Sequence, residues 1–221
     1  NINKICSDQD TRKFIWWSHG ANATRSTAGF FRDIFSDFYN YHPGEDLKGS
    51  PSHEFDIPKG CEDFVIVSNV RNPFTLSVSS FKDILEQYVN EGNDLPNFEE
   101  WVYSLDKIKA SMSDDIRWSV VNRMPDYFIR MESLEEDLVN LPFVQSWLSE
   151  DTNNNVILEN ALNNHIRLNR YINENPYDKY KDGFQDIRGL YTQEIADKVI
   201  QLFNPVYFDK IGYDIDSWKS N

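Results

Sequence analysis

Three short apolar runs, separated by amphipathic stretches, constrain the fold of this chain more than any other feature. They are Lys13–Ser18, Asp63–Val70 and Tyr127–Met131. The second is rich in β-branched residues, and the third follows the chain-breaking pair Pro125–Asp126. Continuous apolar runs of this length are typical of parallel strands that are covered on both faces. The sequence therefore predicts three buried strands of a parallel sheet.

Amphipathic helical patterns alternate with these runs. They cover Thr27–Tyr39, Thr75–Glu91, Phe98–Leu105, Asp114–Val121, Leu134–Leu141, Pro142–Ser149 and Thr192–Phe203, whereas His42–Gly60 and Asp151–Asn155 are predicted as a loop and a turn. The alternation indicates an α/β fold, with a P-loop-like central parallel sheet flanked by helices in a single domain over residues 1–221. Ligands of such sheets bind at the carboxyl ends of the strands, so the loops after Ser18, Val70 and Met131 are the places to look for a site.

Charge and cysteine content restrict the partners. The chain has 36 acidic and 22 basic residues, a net charge of −14, which disfavours nucleic acid and anionic membranes. Two cysteines, Cys6 and Cys61, allow at most one disulfide, and a reducing compartment is the default. No metal-type Cys/His spacing and no apolar run of about 20 residues occurs. We expect a cytoplasmic protein with no metal and no membrane segment in this chain, and an anchor or signal upstream of Asn1 stays open.

The first candidate loop joins the first strand to a helix. It consists of His19, Gly20, Ala21, Asn22, Ala23, Thr24, Arg25, Ser26 and Thr27. Small residues that lead into a helix can wrap an anion, because backbone N–H groups point inward and the helix dipole favours negative charge. The hydroxyl groups of Ser26 and Thr27 would add hydrogen-bond donors, and Arg25 would add positive charge. The alternative is an ordinary capped helix that binds nothing.

The second candidate motif lies at the end of the second predicted strand. Arg71 follows the strand, Pro73 starts a helix, and Ser79 stands eight residues after Arg71. An arginine and a hydroxyl at such a place can hold one phosphate together. The alternative is a surface arginine and a serine with no ligand.

The stretch Val67–Phe81 resembles the 3′-phosphate-binding motif of sulfotransferases that use 3′-phosphoadenosine 5′-phosphosulfate (PAPS). That motif is Arg-x-Pro with a serine eight residues past the arginine, and Leu76 stands where the family often has a second arginine. The segments Tyr127–Leu138 and Leu190–Trp218 resemble the late strand and the closing helix of the same family. The resemblance implies a sulfotransferase fold in which Arg71 and Ser79 bind the 3′-phosphate.

The first loop resembles the 5′-phosphosulfate loop of that family. In one register His19 matches the family's histidine, Ser26–Thr27 match its hydroxyl pair, and Asn22 stands at the position of its lysine. In another register Thr24–Arg25 match the hydroxyl region and Ala21 stands at the lysine. Because neither register restores the lysine, we expect Arg25 to supply that charge.

The acceptor hydroxyl needs a general base. The resemblance implies a histidine or glutamate in the segment after the first loop, which contains His42, Glu45, His53 and Glu54. Pro51–Phe55 resembles the segment that carries a glutamate base in heparan-type sulfotransferases, and this resemblance favours Glu54, with His53 next. The acceptor would be a small molecule or glycan, with carbohydrate preferred, and 3′-phosphoadenosine 5′-phosphate (PAP) would be the second product.

Two other functions stay open from the sequence. The missing loop lysine favours a non-catalytic protein that binds PAPS or glycans on a degenerate sulfotransferase fold. A P-loop kinase would need Gly-Lys-[Ser/Thr] in the first loop, and that loop contains no lysine.

Overall fold

The computed structural model describes residues 14–17, 24–35, 39–41, 61–91, 97–105, 124–168 and 187–219. The chain divides into two compact units: unit 1 is Asn1–Val70 with Arg117–Glu174, and unit 2 is Arg71–Ile116 with Asn175–Asn221. The α/β class predicted from the sequence is confirmed. The single domain over residues 1–221 stays a prediction.

The described elements follow one another along the chain as strands, helices and short turns. They are β1 (Phe14–Trp17), α1 (Thr24–Ile34), β2 (Tyr39–Tyr41), β3 (Val65–Val70), α2 (Pro73–Glu91), α3 (Phe98–Ser104), β4 (Tyr127–Arg130), a 3-10 turn (Met131–Ser133), α4 (Leu134–Val139), α5 (Pro142–Glu150), α6 (Asn154–Ala161), a π-helix (Leu162–Arg167), a 3-10 turn (Ile187–Leu190), α7 (Gln193–Leu202), α8 (Val206–Asp209) and a 3-10 turn (Ser217–Lys219). The predicted helix Asp114–Val121 and the predicted loop His42–Gly60 lie outside the described residues.

The sheet of unit 1 has four parallel strands in the order β2-β1-β3-β4. The three strands predicted from apolar runs are confirmed to within two residues. The short strand β2 was missed, and the predicted helix Thr27–Tyr39 was wrong at both ends. The helix begins at Thr24 and ends at Ile34, and Tyr39 pairs with Ile15 of β1. A strand of three residues is too short to show a period of its own.

Aromatic side chains dominate the core of unit 1. Phe14 of β1 stacks on Phe143 of α5 with ring centroids 4.3 Å apart, and it contacts Phe31 of α1 at 5.2 Å. Trp16 and Phe30 are completely buried in the same cluster. This packing holds α1 and α5 against the sheet, as expected for a sheet covered by helices.

Unit 2 is a group of helices around a second aromatic core. Phe81 of α2, Phe98 of α3 and Tyr191 are buried, with ring centroids 5.3 Å apart for the first pair and 5.2 Å for Phe98 and Tyr191. The N-terminus of α3 is capped by Asn97 and that of α7 by Thr192, whose side chains accept backbone hydrogen bonds. The predicted helices Phe98–Leu105 and Thr192–Phe203 are therefore confirmed to within one residue.

Two further findings concern Cys61 and the search for a membrane-spanning helix. Cys61 is buried and disulfide-bonded, which is the bridge that the sequence left open. Disulfides persist mainly in oxidising compartments. No helix in the described part of the chain is both long enough and apolar enough to cross a bilayer.

Candidate functional site

The first candidate region is the start of α1 in unit 1. Because the helix begins at Thr24, residues Thr24, Arg25 and Ser26 form its first turn, where backbone N–H groups have no acceptor within the helix. This turn holds exposed Arg25 and no acidic residue, whereas α3, α4 and α7 each place an acid there. A cation at this end opposes the helix dipole, so a bound anion would offset an unfavourable local charge.

A buried hydrogen-bond relay fixes that turn to the sheet. The indole Nε1 of Trp16 donates to Oδ1 of Asn69 at 2.7 Å, and Nδ2 of Asn69 donates to Oγ1 of Thr27 at 2.8 Å. All three residues are 0 % exposed. Thr27, predicted to bind the co-substrate, therefore accepts a hydrogen bond from the sheet, whereas Ser26 is partly exposed. Sequence reasoning missed Asn69, although an amide inside an apolar strand was a signal.

Several predicted site residues lie outside the described part of the chain. They are the loop residues His19, Gly20, Ala21, Asn22 and Ala23 and the candidate bases His42, Glu45, His53 and Glu54. Their roles, and the direction of the Arg25 guanidinium relative to the loop, stay predictions.

The second candidate region is the start of α2 in unit 2, where the predicted strand–arginine–helix order is confirmed. Arg71 directly follows β3, and Pro73 is the first residue of α2. The Asn72 side chain accepts a hydrogen bond from the Phe74 N–H at 2.9 Å and so caps the helix. The Arg71 Nε donates to Oγ1 of Thr75 at 3.2 Å, and that hydroxyl donates to the Asn72 carbonyl at 3.1 Å. These bonds orient the guanidinium along the first turn of α2.

Three polar residues of α2 continue from Arg71 along one helix face. Thr75, Ser79 and Lys82 are spaced by four and three residues, which places them in one row. Burial lowers the pKa of Lys82, and the positive charge of nearby Arg71 lowers it further. Sequence reasoning missed Thr75, which accepts the hydrogen bond from Arg71, although its position four residues after Arg71 could be read from the sequence.

The segment Leu190–Trp218, which carried part of the resemblance, contacts the Arg71 motif within unit 2. The Asn72 Nδ2 donates to Oγ of Ser217 at 2.8 Å, and the Tyr191 hydroxyl donates to the Phe74 carbonyl at 2.9 Å. Burial raises the pKa of Tyr191 well above its ordinary value, and a hydrogen bond with Ser77 offsets part of that rise. Two segments that are distant in sequence thus fix the first turn of α2 together.

The end of β4, the third place predicted for a ligand, is occupied by an internal ion pair. Asp137 accepts hydrogen bonds from the Arg130 backbone N–H at 2.7 Å, from its Nε at 2.9 Å and from its Nη2 at 2.7 Å. A neighbouring open cleft is lined by Glu132, Glu135 and Glu136, among others. Glu135 pairs with Arg167, and the acidic lining of the cleft disfavours a polyanionic ligand such as PAPS.

A histidine–aspartate pair in unit 1 was also not predicted. The Nε2 of His165, in the π-helix, lies 2.8 Å from Oδ2 of Asp33 on α1. The ring lies directly on the backbone of Gly29, where any side chain would overlap its Nδ1. One ring nitrogen thus faces Asp33 and the other faces α1. This arrangement fits a packing contact between the π-helix and α1 better than a catalytic base.

Among the residues that the structure describes, no group of three or more His, Cys, Asp or Glu side chains could hold a metal ion. In comparisons with protein-family models, with curated proteins and with solved structures, nothing matches this chain. A functional conclusion therefore depends on the two helix starts and their chemistry.

Proposed function

We propose that this protein is a sulfotransferase that moves the sulfuryl group of PAPS to a hydroxyl acceptor, with carbohydrate as the preferred acceptor class. The observation that carries the proposal is the start of α2. Arg71 follows a buried parallel strand, Thr75 orients its guanidinium, and Ser79 lies one turn further along the same helix. An oriented guanidinium beside a hydroxyl suits the 3′-phosphate that distinguishes PAPS from ordinary adenine nucleotides.

The start of α1 supports the part of the proposal that concerns the 5′-phosphosulfate of PAPS. Its first turn has backbone N–H groups with no acceptor within the helix, the exposed cation Arg25 and no acidic residue. Such a turn favours the charge that develops on the 5′-phosphate when the bridging S–O bond breaks. The sulfotransferase fold and the P-loop-like character of the sheet belong to the same proposal, because the parallel order β2-β1-β3-β4 is compatible with them.

The reaction places simple demands on the site. The acceptor oxygen attacks sulfur in line with the leaving phosphate, and the new S–O bond forms as the bridging S–O bond breaks. The acceptor proton passes to a base, for which Glu54 and then His53 are proposed. The products are a sulfate ester and PAP, and the chemistry as written uses no metal.

Calorimetric titration of PAP tests the binding half of the proposal. Arg71→Ala should weaken PAP binding by about 2–4 kcal/mol, because it removes a charge-assisted pair from a sheltered site. Arg71→Lys should recover part of the loss, since it keeps the positive charge but lacks the planar guanidinium with its paired N–H donors. Arg32→Ala, which removes an exposed arginine from the last turn of α1, is the matched control. Equal affinities in wild type and Arg71→Ala would reject the assignment.

A PAPS-dependent transfer assay on a panel of glycans and small hydroxyl compounds tests the catalytic half. PAP binding without transfer would favour the alternative, a non-catalytic PAPS- or glycan-binding protein, which is supported by the absence of a lysine from the first loop. The cytoplasmic location stays a prediction, and the disulfide at Cys61 favours an oxidising compartment instead.

A further inference from the structure

The 3-10 turn Ser217–Lys219, named the closing turn below, touches the start of α2 by two routes. The Ser217 hydroxyl oxygen accepts a hydrogen bond from the Asn72 Nδ2 at 2.8 Å. The Trp218 ring lies 6.1 Å, between centroids, from the ring of Tyr191, whose hydroxyl donates to a carbonyl in the first turn of α2. A segment 145 positions away in the sequence therefore contacts the cap of this helix directly.

The closing turn is shaped by hydrogen bonds of its own. The Asp214 carbonyl accepts from the Ser217 N–H at 3.1 Å, and the Asp214 carboxylate accepts from the Asp216 N–H at 2.9 Å. The Lys219 ammonium lies 2.6 Å from the Asp216 carboxylate. Asx turns of this kind define a backbone conformation locally. The Ser217 hydroxyl is therefore presented to Asn72 from a preformed turn.

The Thr75 hydroxyl links the position of Asn72 to that of Arg71. A hydroxyl carries one hydrogen, and that of Thr75 is donated to the Asn72 carbonyl at 3.1 Å, so its oxygen accepts from the Arg71 Nε at 3.2 Å. The Asn72 carbonyl also accepts from the Leu76 N–H at 2.9 Å, and the Asn72 side chain accepts from the Phe74 N–H at 2.9 Å. Any shift of Asn72 would therefore change the hydroxyl that orients the guanidinium.

We propose that Ser217 is a positioning residue of the 3′-phosphate site, which acts through Asn72 and Thr75 on the guanidinium of Arg71. This inference rests on the proposed function and adds a residue far outside the Arg-x-Pro motif. Asn72 is 8 % exposed, so its amide N–H has little access to water when the Ser217 oxygen is removed. A guanidinium that is oriented before the ligand arrives loses less conformational freedom on binding. The effect of Ser217 should therefore be confined to ligands that carry a 3′-phosphate.

Titration calorimetry on the full chain, with PAP and with 5′-AMP, which lacks the 3′-phosphate, tests the role of Ser217. Ser217→Ala should weaken PAP binding by about 3- to 10-fold, the range expected for one hydrogen bond, and should change 5′-AMP binding by less than about twofold. Ser217→Thr should keep most of the PAP affinity, since it keeps the hydroxyl. Ser104→Ala, which removes an exposed hydroxyl that donates to the Trp101 carbonyl in the same unit, should change neither affinity.

A double-mutant cycle separates positioning from a general loss of structure. In the Arg71→Ala background, Ser217→Ala should no longer weaken PAP binding, because its effect passes through the guanidinium. An equal loss of affinity in both backgrounds would overturn the inference, and so would equal losses for PAP and 5′-AMP. Wild type that binds PAP while Ser217→Ala binds it equally well would overturn the inference alone. Wild type that fails to bind PAP would overturn both the inference and the proposed function.

Discussion

Replacing Asn69 by leucine removes the centre of the buried relay in unit 1 while keeping the number of side-chain heavy atoms. Asn69 accepts from the Trp16 indole at 2.7 Å and donates to Thr27 at 2.8 Å, and all three residues are 0 % exposed. In Asn69→Leu the indole N–H stays buried without this acceptor, which costs about 1–3 kcal/mol. The Thr27 hydroxyl can turn to a carbonyl of its own helix, so its loss is smaller. We expect a decrease of about 2–3 kcal/mol in the free energy of unfolding.

Urea unfolding followed by circular dichroism measures this loss. With a slope of about 2 kcal/mol per molar urea, the midpoint of Asn69→Leu should fall by about 1 M. Asn155→Leu, which makes the same change at an exposed position of α6, should stay within about 0.5 kcal/mol of wild type.

A double-mutant cycle identifies the indole as the cause. In the Trp16→Phe background the buried donor is gone, so the penalty of Asn69→Leu should fall by about 1 kcal/mol or more. A midpoint for Asn69→Leu equal to that of Asn155→Leu would refute the claim that the relay stabilises unit 1. If Asn69→Leu lowered the free energy of unfolding equally in both backgrounds, the claim that the buried indole N–H without an acceptor causes the loss would be refuted.

Three further predictions concern catalysis and pH. Arg25→Ala should lower kcat for PAPS-dependent transfer far more than it raises the KM for PAPS, because the charge it opposes develops only in the transition state; steady-state kinetics that show a loss confined to KM would make Arg25 a ground-state binder. EDTA should leave the transfer rate unchanged, and activity that is lost with EDTA and restored by Mg²⁺ would favour kinase-type chemistry. Burial raises the pKa of Tyr191, so above pH about 10 the unfolded chain loses a proton that the folded chain keeps. The free energy of unfolding should therefore fall with rising pH by up to about 1.4 kcal/mol per pH unit. In urea titrations at several pH values, Tyr191→Phe should make this fall shallower and Tyr103→Phe, at an exposed tyrosine, should leave it unchanged; an unchanged slope in Tyr191→Phe would contradict the assignment.

The sequence by itself determined the elements that have a local signal. Asp63–Val70 is apolar over its whole length, and Pro73 can start a helix but not continue a strand, so β3, Arg71 and the start of α2 were predictable in order. The same holds for α7, whose amphipathic stripe is regular. The short strand β2 and the true start of α1 were not predictable, because three residues carry no period and a helix start depends on its cap.

The tertiary structure alone decided which side chains meet. Asn69 lies 53 positions from Trp16 and 42 from Thr27, and Asn72 lies 145 positions from its partner Ser217. No periodicity links residues so far apart; packing of the strands and helices brings them together, and burial then makes each hydrogen bond obligatory. The same reason explains Thr27, whose hydroxyl was predicted to face a ligand. The position of Thr27 in the loop pattern could be read from the sequence, but the strand residue that donates a hydrogen bond to its hydroxyl, Asn69, could not.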